Sequence, residues 1–284
     1  MLSDQSFHSG TISTEGDELY YEVRGQGDPL LLIPGAGGDG ASYGAVASIL
    51  PDEFKVITYD RRANSRSTMH TPQNFEISQQ SRDVVAVLQA AGETSAYIFG
   101  NSSGAVIALD MAKTQPQAVR AVIAHEPPVI RVLPNAQQWQ HFYASVYLTA
   151  FQLGPALATL RFLFGSGLPV LQMLRMRGDR RSESEKKEDL PRLSPAITTE
   201  FLMKQELLPV VNYLPDVEAI KRNGVKVIMA VGQMSLDKKR MYAEIARILA
   251  DLLDCELIVF PGHHSSYIDM PEEWTAVLRD TLHR

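Results

Sequence analysis

The sequence predicts an α/β protein with a mostly parallel, eight-stranded sheet and an inserted helical cap. Short apolar runs alternate with helical patterns from about residue 19 to residue 110, and again from residue 225 onward. Buried strands separated by helices are typical of a parallel sheet covered on both faces. In between, the alternation stops and the chain becomes helical and rich in aromatic residues. We therefore assign residues 1–128 and 223–284 to an α/β core domain and residues 129–222 to a helical cap.

The period of the apolar residues defines the candidate strands and helices. Strand candidates, most of them rich in Val, Ile and Leu, occupy residues 18–23, 30–35, 54–60, 95–100, 121–126, 225–232 and 256–262. Helical periodicity is clearest over residues 78–92, 237–253 and 271–282. Pro271 suits the first turn of the last helix. A run of mixed charge over residues 177–192 predicts a solvated loop or helix end.

Composition and charge exclude several classes of protein. Of 284 residues, 45% are hydrophobic and 21% charged, as in an ordinary globular protein. The formal net charge of −6 gives no basic field to attract nucleic acid or anionic lipid, so we expect neither partner. The apolar stretch 145–174 is interrupted by polar residues and by a Gly-Pro pair, which predicts amphipathic helices rather than a membrane span.

The N-terminus and the cysteine content predict the compartment. The first ten residues lack the basic and apolar regions of a secretory signal. The single cysteine, Cys255, cannot form an internal disulfide, and its position in an apolar run predicts an inert buried thiol. These features predict a cytoplasmic protein.

The stretch IFGNSSGAV contains a candidate nucleophile, Ser102. Gly100-x-Ser102-x-Gly104 matches the pattern G-x-S-x-G, which is short enough that its context decides its meaning. Here an apolar strand precedes the serine and a helical pattern begins directly after it. A sharp strand-to-helix turn lifts the hydroxyl above the sheet and aims the helix N-terminus at developing negative charge. The alternative is a polar residue in a tight turn.

Two further segments resemble those of the α/β-hydrolases. LLLIPGAGGDG is similar to the family's oxyanion loop after the third strand, with Pro34 in place of the usual histidine. The resemblance implies that the backbone N–H groups of Ala36 and Ser103 form an oxyanion hole. YDRRANSRS resembles the family segment D-x-R-G-x-G-x-S, but Ala and Ser occupy its two glycine positions. That segment is usually structural, so we assign Asp60, Arg61 and Arg66 to ion pairs of the scaffold.

The resemblance also selects the histidine. The active histidine of α/β-hydrolases commonly stands seven residues before the proline that opens the last helix, and with Pro271 as that proline this spacing selects His264. His263 then falls where the family often has a small residue, and we expect it to shape the loop.

Two residues compete for the triad acid, because the usual position after strand 225–232 holds Ser235. Glu126 follows the preceding strand, in a His-Glu-x-Pro segment similar to that of zearalenone lactone hydrolases, where the glutamate is the triad acid. Asp237 is the alternative, although it could simply cap the helix that follows. Either carboxylate preserves the chain order serine, acid, histidine. Glu126 is preferred.

These residues predict a serine hydrolase that cleaves an ester or lactone of a small, apolar or aromatic molecule. Gly35 and the cap residues Trp139 and Tyr143 are the candidate substrate-binding residues, although aromatic residues at helical spacing also form the core of a cap. No metal or organic cofactor is implied. A carbon–carbon bond hydrolase, an amidase and an acyltransferase use the same triad, and a ligand receptor on the same fold also remains open. We expect a small-molecule substrate as partner and leave a homodimer open.

Overall fold

One eight-stranded sheet organises the protein. The computed structural model describes residues 7–70, 75–168 and 191–284. The strands are β1 (Phe7–Thr14), β2 (Asp17–Arg24), β3 (Asp28–Ile33), β4 (Phe54–Tyr59), β5 (Ala96–Asn101), β6 (Val119–His125), β7 (Lys226–Gly232) and β8 (Leu257–Phe260). Their order in the sheet is β1-β2-β4-β3-β5-β6-β7-β8. The pairs β1–β2 and β2–β4 are antiparallel and all others are parallel, which confirms the predicted fold class.

Helices connect the strands and fill the long connection between β6 and β7. The helices before β6 are α1 (Gly44–Ile49), α2 (Ile77–Ala90) and α3 (Ser103–Thr114). Those between β6 and β7 are α4 (Ala136–Gln152), α5 (Pro155–Gly165), α6 (Pro195–Phe201), the π-helical turn Leu202–Glu206, α7 (Leu207–Val211) and α8 (Val217–Asn223). After β7 come α9 (Gln233–Asp237), α10 (Met241–Leu253) and α11 (Pro271–Leu282). Short 3-10 turns lie at Gly40–Tyr43, Pro116–Ala118 and Ile130–Val132.

The core lies on both faces of the sheet, as the uninterrupted apolar strands require. In β3, Leu31 and Ile33 join one buried cluster while Leu30 and Leu32 join the other, because alternate side chains point to opposite faces. Trp274 of α11 is fully buried, with its ring centroid 4.8 Å from that of Phe99. Within the described ranges, no helix is long and apolar enough to cross a membrane.

Two elements differ from the sequence prediction. Strand β1 was not predicted, because it lies at the sheet edge with alternating burial and carries only two large apolar side chains, Phe7 and Ile12. Helix α10 begins at Met241, with Arg240 as its N-cap, so Asp237 does not cap this helix, which was one of its two readings from the sequence. The chain between α9 and α10 turns at Lys239, which has a positive φ of 50°, and this turn separates Asp237 from the helix. Most of the charged run 177–192 lies outside the described residues.

The segment after β4 carries backbone strain at its two altered glycine positions. Ala63 and Ser65 both have positive φ, 64° and 48°, where a side chain costs about 1–2 kcal/mol relative to glycine. Buried ion pairs hold the segment in place: Asp60 accepts from Arg66 Nε at 2.6 Å, and its other oxygen accepts from the backbone N–H of Gly40 at 2.9 Å. The predicted scaffold role of Asp60 and Arg66 therefore has a direct structural counterpart.

Candidate active site

Ser102 occupies a strained turn between β5 and α3. Its φ and ψ are 56° and −120°, and its N–H donates to the carbonyl of His125 on β6 at 2.9 Å. Only small residues fit on either side. A Cβ on Gly100 would lie 2.2 Å from the carbonyl oxygen of Gly104, and one on Gly104 would lie 2.3 Å from that of Ile33. Strain of this kind persists only where the surroundings impose it, and it is common at active sites.

The predicted oxyanion residues border the same cavity as Ser102. Ala36 and Ser103 both line it. Ser103 is the first residue of α3, and N–H groups of a first helical turn have no acceptor within the helix. Gly35 lies against the serine, since a Cβ placed there would be 3.2 Å from the Ser102 Cβ. Both residues whose N–H groups are the predicted oxyanion donors therefore lie at the cavity that Ser102 borders.

Glu126 and His264 form a buried hydrogen-bonded pair. Nδ1 of His264 bonds Oε2 of Glu126, and the carboxylate is fully buried. Oε1 of Glu126 accepts from the backbone N–H of Gly232 at 2.9 Å. Gly232 also lets the histidine loop approach β7, because a Cβ there would lie 3.2 Å from the His263 carbonyl carbon. Both carboxylate oxygens are thus fixed, and Nδ1 of the imidazole is committed to one of them.

The environment keeps the Glu126 carboxyl ionised. Burial raises its pKa, but the hydrogen bond to His264 and the nearby imidazoles of His264 and His125 outweigh burial and lower the pKa to about 2. A carboxylate that stays charged at neutral pH can hold an imidazole in one tautomer and stabilise the imidazolium. The Glu126–His264 pair therefore has the properties of the acid and the base of a catalytic triad.

The structure separates the alternative acid from this pair. Asp237 is exposed at the end of α9, where its Oδ1 accepts from Gln233 Nε2 at 2.8 Å. His263 also points elsewhere: its Nε2 lies 3.0 Å from Asp269 Oδ2, and its Nδ1 accepts from the Ser265 N–H. The geometry therefore brings Glu126, and not Asp237, to His264. His263 holds the loop together, as its sequence position predicts.

His125 lies beneath the pair and is held neutral. Its Nδ1 bonds Asn101 Oδ1 at 2.7 Å, and the Asn101 amide in turn donates to the hydroxyl of Tyr267. Nδ1 therefore carries the proton, while Nε2 is buried without a partner among the described residues. Burial lowers the pKa of His125 to about 4, with the Glu126 carboxylate acting in the opposite direction.

This burial predicts a pH-dependent stability. The unfolded imidazole has a pKa near 6.5, so the unfolded state binds more protons than the folded state between pH 6.5 and 4. Through this difference, acidification lowers the free energy of unfolding. The loss begins as the pH falls below 6.5 and reaches about 3 kcal/mol at pH 4. Denaturant unfolding at pH 7 and pH 4 should show that His125→Gln loses less stability on acidification than the wild type. Parallel pH curves for the two proteins would rule out a neutral buried His125.

Three side chains at the site have metal-ligand chemistry. Ligand-type atoms of His125, Glu126 and His264 lie within 4.8 Å of one another. The hydrogen bonds described above already use Oε2 of the carboxylate and Nδ1 of both imidazoles. A metal ion held through Nδ1 of His264 would have to replace the contact of this nitrogen with Glu126. The hydrogen-bonded pair of Glu126 and His264 accounts for the closeness of these side chains without a metal ion.

The cavity at Ser102 lies between the turn that follows β5 and helices of the connection between β6 and β7. Its volume of about 30 Å³ has room for about one water molecule and lies well below the range of ~300–1,000 Å³ that is typical of small-molecule sites. Its lining consists of Ala36, Ser102, Ser103, Pro128, Tyr143, Phe162, Leu168, Leu202, Glu206, Leu207, Val210, Val211 and Tyr242. The structure thus places Tyr143 at the cavity, and its role in substrate binding stays a prediction. Trp139 does not line it: this side chain packs one helical turn away, against Phe142 and Tyr143, in the aromatic core of the cap.

A buried ion pair that the sequence did not predict joins the segment after β4 to the π-helical turn Leu202–Glu206. The Arg61 guanidinium donates to Glu206 Oε1 at 2.7 Å, and both side chains are essentially inaccessible. A second nitrogen of Arg61 donates to Ser103 Oγ at 2.8 Å. The assignment of Arg61 to an ion pair was therefore correct, but its partner belongs to the cap and its other contact lies at the start of α3. A single acid among apolar residues in FLMKQELLPVV was the available signal.

Comparisons with known proteins define the class. Residues 28–176, just over half of the chain, match the model of the alpha/beta hydrolase fold family, and the chain belongs to that family. It is 28% identical over 284 residues to the uncharacterized hydrolase YraK of Bacillus subtilis (strain 168), covering 98% of this chain and 97% of that protein.

Solved structures share the fold at low sequence identity. A thermophilic esterase from Thermogutta terrifontis superposes with a TM-score of 0.72 at 19% identity, covering 97% of this chain and 98% of that one. The enol-lactonase from Burkholderia xenovorans LB400 gives a TM-score of 0.66 at 17% identity, covering 97% of this chain and 100% of that one. At these identities the matches show a shared fold, in agreement with the family match and with the sheet order described above.

Proposed function

We propose that this protein is a serine hydrolase that cleaves a carboxylic ester or lactone of a small, mainly apolar molecule. The observation that carries the proposal is the strained Ser102 at a cavity next to the buried His264–Glu126 pair. Tyr242 connects the two, since it lines the cavity and its ring centroid lies 5.1 Å from that of His264. The strain, the ionised carboxylate and the two backbone donors are each what acyl transfer by a serine requires.

The mechanism follows from these assignments. His264 takes the proton of Ser102 through Nε2, because Nδ1 is bonded to Glu126. The serine oxygen attacks the carbonyl carbon, and the N–H groups of Ala36 and Ser103 hold the oxyanion. The imidazolium then gives its proton to the leaving alcohol, and the acyl-enzyme forms. Water attacks the acyl group in the second half of the cycle, with His264 again as base.

Glu126 is the proposed triad acid. It fixes the imidazole tautomer and stabilises the imidazolium. His125, Glu126 and Pro128 form the His-Glu-x-Pro segment that is similar to zearalenone lactone hydrolases, and we extend that likeness to the position of the acid. The cytoplasmic location and a possible homodimer remain predictions from the sequence.

The lining of the cavity supports a small apolar substrate. Most of it is aliphatic or aromatic, with Pro128, Phe162 and Leu207 as examples, and Glu206 is its charged member. The structural relatives named above as an esterase and an enol-lactonase both act on carboxylic acid derivatives by their names, which agrees with this choice of bond.

Hydrolysis of p-nitrophenyl esters of two to eight carbons and of a panel of aromatic lactones tests this function. We expect saturable turnover, fastest with short or medium acyl groups because the cavity is small. Wild-type protein that is folded and binds these compounds without turnover would instead favour a ligand receptor. Turnover of vinylogous diketones alone would favour a carbon–carbon bond hydrolase.

A further inference from the structure

Glu206 offers a hydrogen-bond acceptor that the chain itself does not use. Its side chain is buried in the π-helical turn of the cap, and Oε1 is paired with Arg61. Oε2 has no hydrogen-bond partner among the residues that the structure describes. A buried polar atom without a partner costs about 1–3 kcal/mol, and more when it is charged. Retaining such an atom is understandable if a bound molecule supplies the donor.

The position of this acceptor relates it to the reacting end of a substrate. Glu206 lines the same cavity as Ser102 and Ala36. One guanidinium group spans the distance from Glu206 to Ser103, since Arg61 donates to both side chains, at 2.7 Å and 2.8 Å. The carboxylate thus lies close to the start of α3. A donor group of the substrate that reaches the Glu206 carboxylate must therefore lie only a few bonds from the carbonyl that Ser102 attacks.

The charge balance indicates what kind of donor fits. Arg61 already compensates the charge of Glu206, so an additional ammonium group would be a buried charge without its own partner. The other residues that line the cavity carry no charged side chain that could pair with an added ammonium group. A neutral hydroxyl or amide N–H satisfies Oε2 without adding charge. An ether or ketone oxygen at the same place would face the carboxylate as a second acceptor.

We propose that Glu206 is a specificity-determining residue whose Oε2 accepts a hydrogen bond from a neutral hydroxyl or amide N–H close to the scissile carbonyl. The substrate class is therefore hydroxy- or acylamino-substituted esters or lactones rather than plain alkyl esters. This inference rests on the proposed hydrolase function. It adds to the substrate a hydrogen-bond donor, which the apolar residues of the cavity would not select by themselves.

Matched phenyl esters test the inference in the wild-type protein. The set consists of phenyl hexanoate and its 2-hydroxy, 2-methoxy, 3-hydroxy and 3-methoxy derivatives. Each methoxy compound matches the electronic effect of its hydroxy partner but lacks the donor. We expect kcat/KM for at least one hydroxy ester to exceed both its methoxy partner and the parent by ~10–100-fold. Ratios within threefold at both positions would overturn the inference.

The variant Glu206→Gln supplies a second readout. Arg61 only donates, so the glutamine must turn its oxygen towards Arg61 and its NH₂ towards the substrate. The preference for hydroxy over methoxy esters, measured as the ratio of their kcat/KM values within this variant, should therefore disappear or invert. Lys204→Gln, on the same helical turn but paired with Glu200, is the control and should keep the wild-type ratios. An unchanged ratio in Glu206→Gln would contradict the proposal.

The outcomes separate this inference from the proposed function. Ser102-dependent hydrolysis of phenyl hexanoate without any hydroxyl preference would leave the serine hydrolase standing and remove the role of Glu206. If no ester is cleaved in a Ser102-dependent manner, the proposed function fails and the inference fails with it. Should Glu206→Gln not fold, the ratios of the wild-type protein decide.

Discussion

Ser102→Ala is expected to lose ester hydrolysis by ~10³–10⁶-fold in kcat while the fold is kept. The serine oxygen is the proposed nucleophile, and without it neither the acyl-enzyme nor the first tetrahedral intermediate can form. Alanine adopts the strained backbone of this turn no less well than serine, and its methyl group fits where the Ser102 Cβ already lies. The thermal unfolding midpoint should therefore remain close to that of the wild type.

The control for this substitution is Ser48→Ala. Ser48 is exposed on α1 and its hydroxyl donates to the Gly44 carbonyl of the same helix, so its loss should leave kcat/KM within twofold. Steady-state kinetics on the fastest p-nitrophenyl ester provide the comparison. Retention of more than about a tenth of wild-type kcat by purified Ser102→Ala would exclude Ser102 as the nucleophile.

Glu126→Gln should lower kcat by ~10²–10⁴-fold, and Asp237→Asn should leave it within threefold. The side-chain oxygen of glutamine can accept the hydrogen bond from the Gly232 N–H that Glu126 Oε1 accepts in the wild type. Its NH₂ then faces His264 Nδ1, which must become an acceptor. The proton moves to Nε2, where the imidazole can no longer accept the serine proton. Asp237 is exposed and bonded to Gln233, so it has no comparable effect.

Both variants require a fold check, because Glu126 is buried. Circular dichroism and thermal unfolding identify a folded Glu126→Gln, and burst-phase kinetics measure its acylation step. A damaging Asp237→Asn together with a mild Glu126→Gln would move the acid to the loop after β7 and remove the main likeness to zearalenone lactone hydrolases. Equal losses in both variants would argue that neither is the specific partner of His264.

The strands, the turn at Ser102 and the histidine loop were accessible from the sequence because each has a local signal. An apolar run, a G-x-S-x-G pattern and a fixed spacing to Pro271 can each be detected without knowing what lies nearby. The family model confirms the fold that these signals predict. Helix α11 even has the predicted bounds, Pro271–Leu282, since its proline and its apolar stripe are both local.

The acid was ambiguous for a physical reason. Glu126 and Asp237 follow neighbouring strands, and the sequence does not say which carboxylate faces the loop after β8. In the structure the parallel register of β6 and β7 brings the Gly232 N–H to Glu126 and thereby fixes its direction towards His264. A sequence pattern does not contain that register, so only the fold discriminates between the two residues.

The contact between Arg61 and Glu206 was missed for the same reason. The two residues are 145 positions apart in the chain, and nothing local relates a segment of the core to one helical turn of the cap. Trp139 was chosen from composition, which cannot distinguish a side chain in the aromatic core of the cap from one that faces a cavity. Tyr143, one helical turn further on, is the residue that lines it.

Covalent labelling by a fluorophosphonate tests the central claim most directly. The reagent reacts with a serine that is activated by a neighbouring base and held near oxyanion donors. We predict one equivalent of label by intact-mass spectrometry, mapped by peptide sequencing to Ser102, with a labelling rate that falls steeply in Glu126→Gln and is unchanged in Asp237→Asn. Folded wild-type protein that remains unlabelled, or is labelled at another residue, would contradict the assignment of Ser102 as an activated nucleophile.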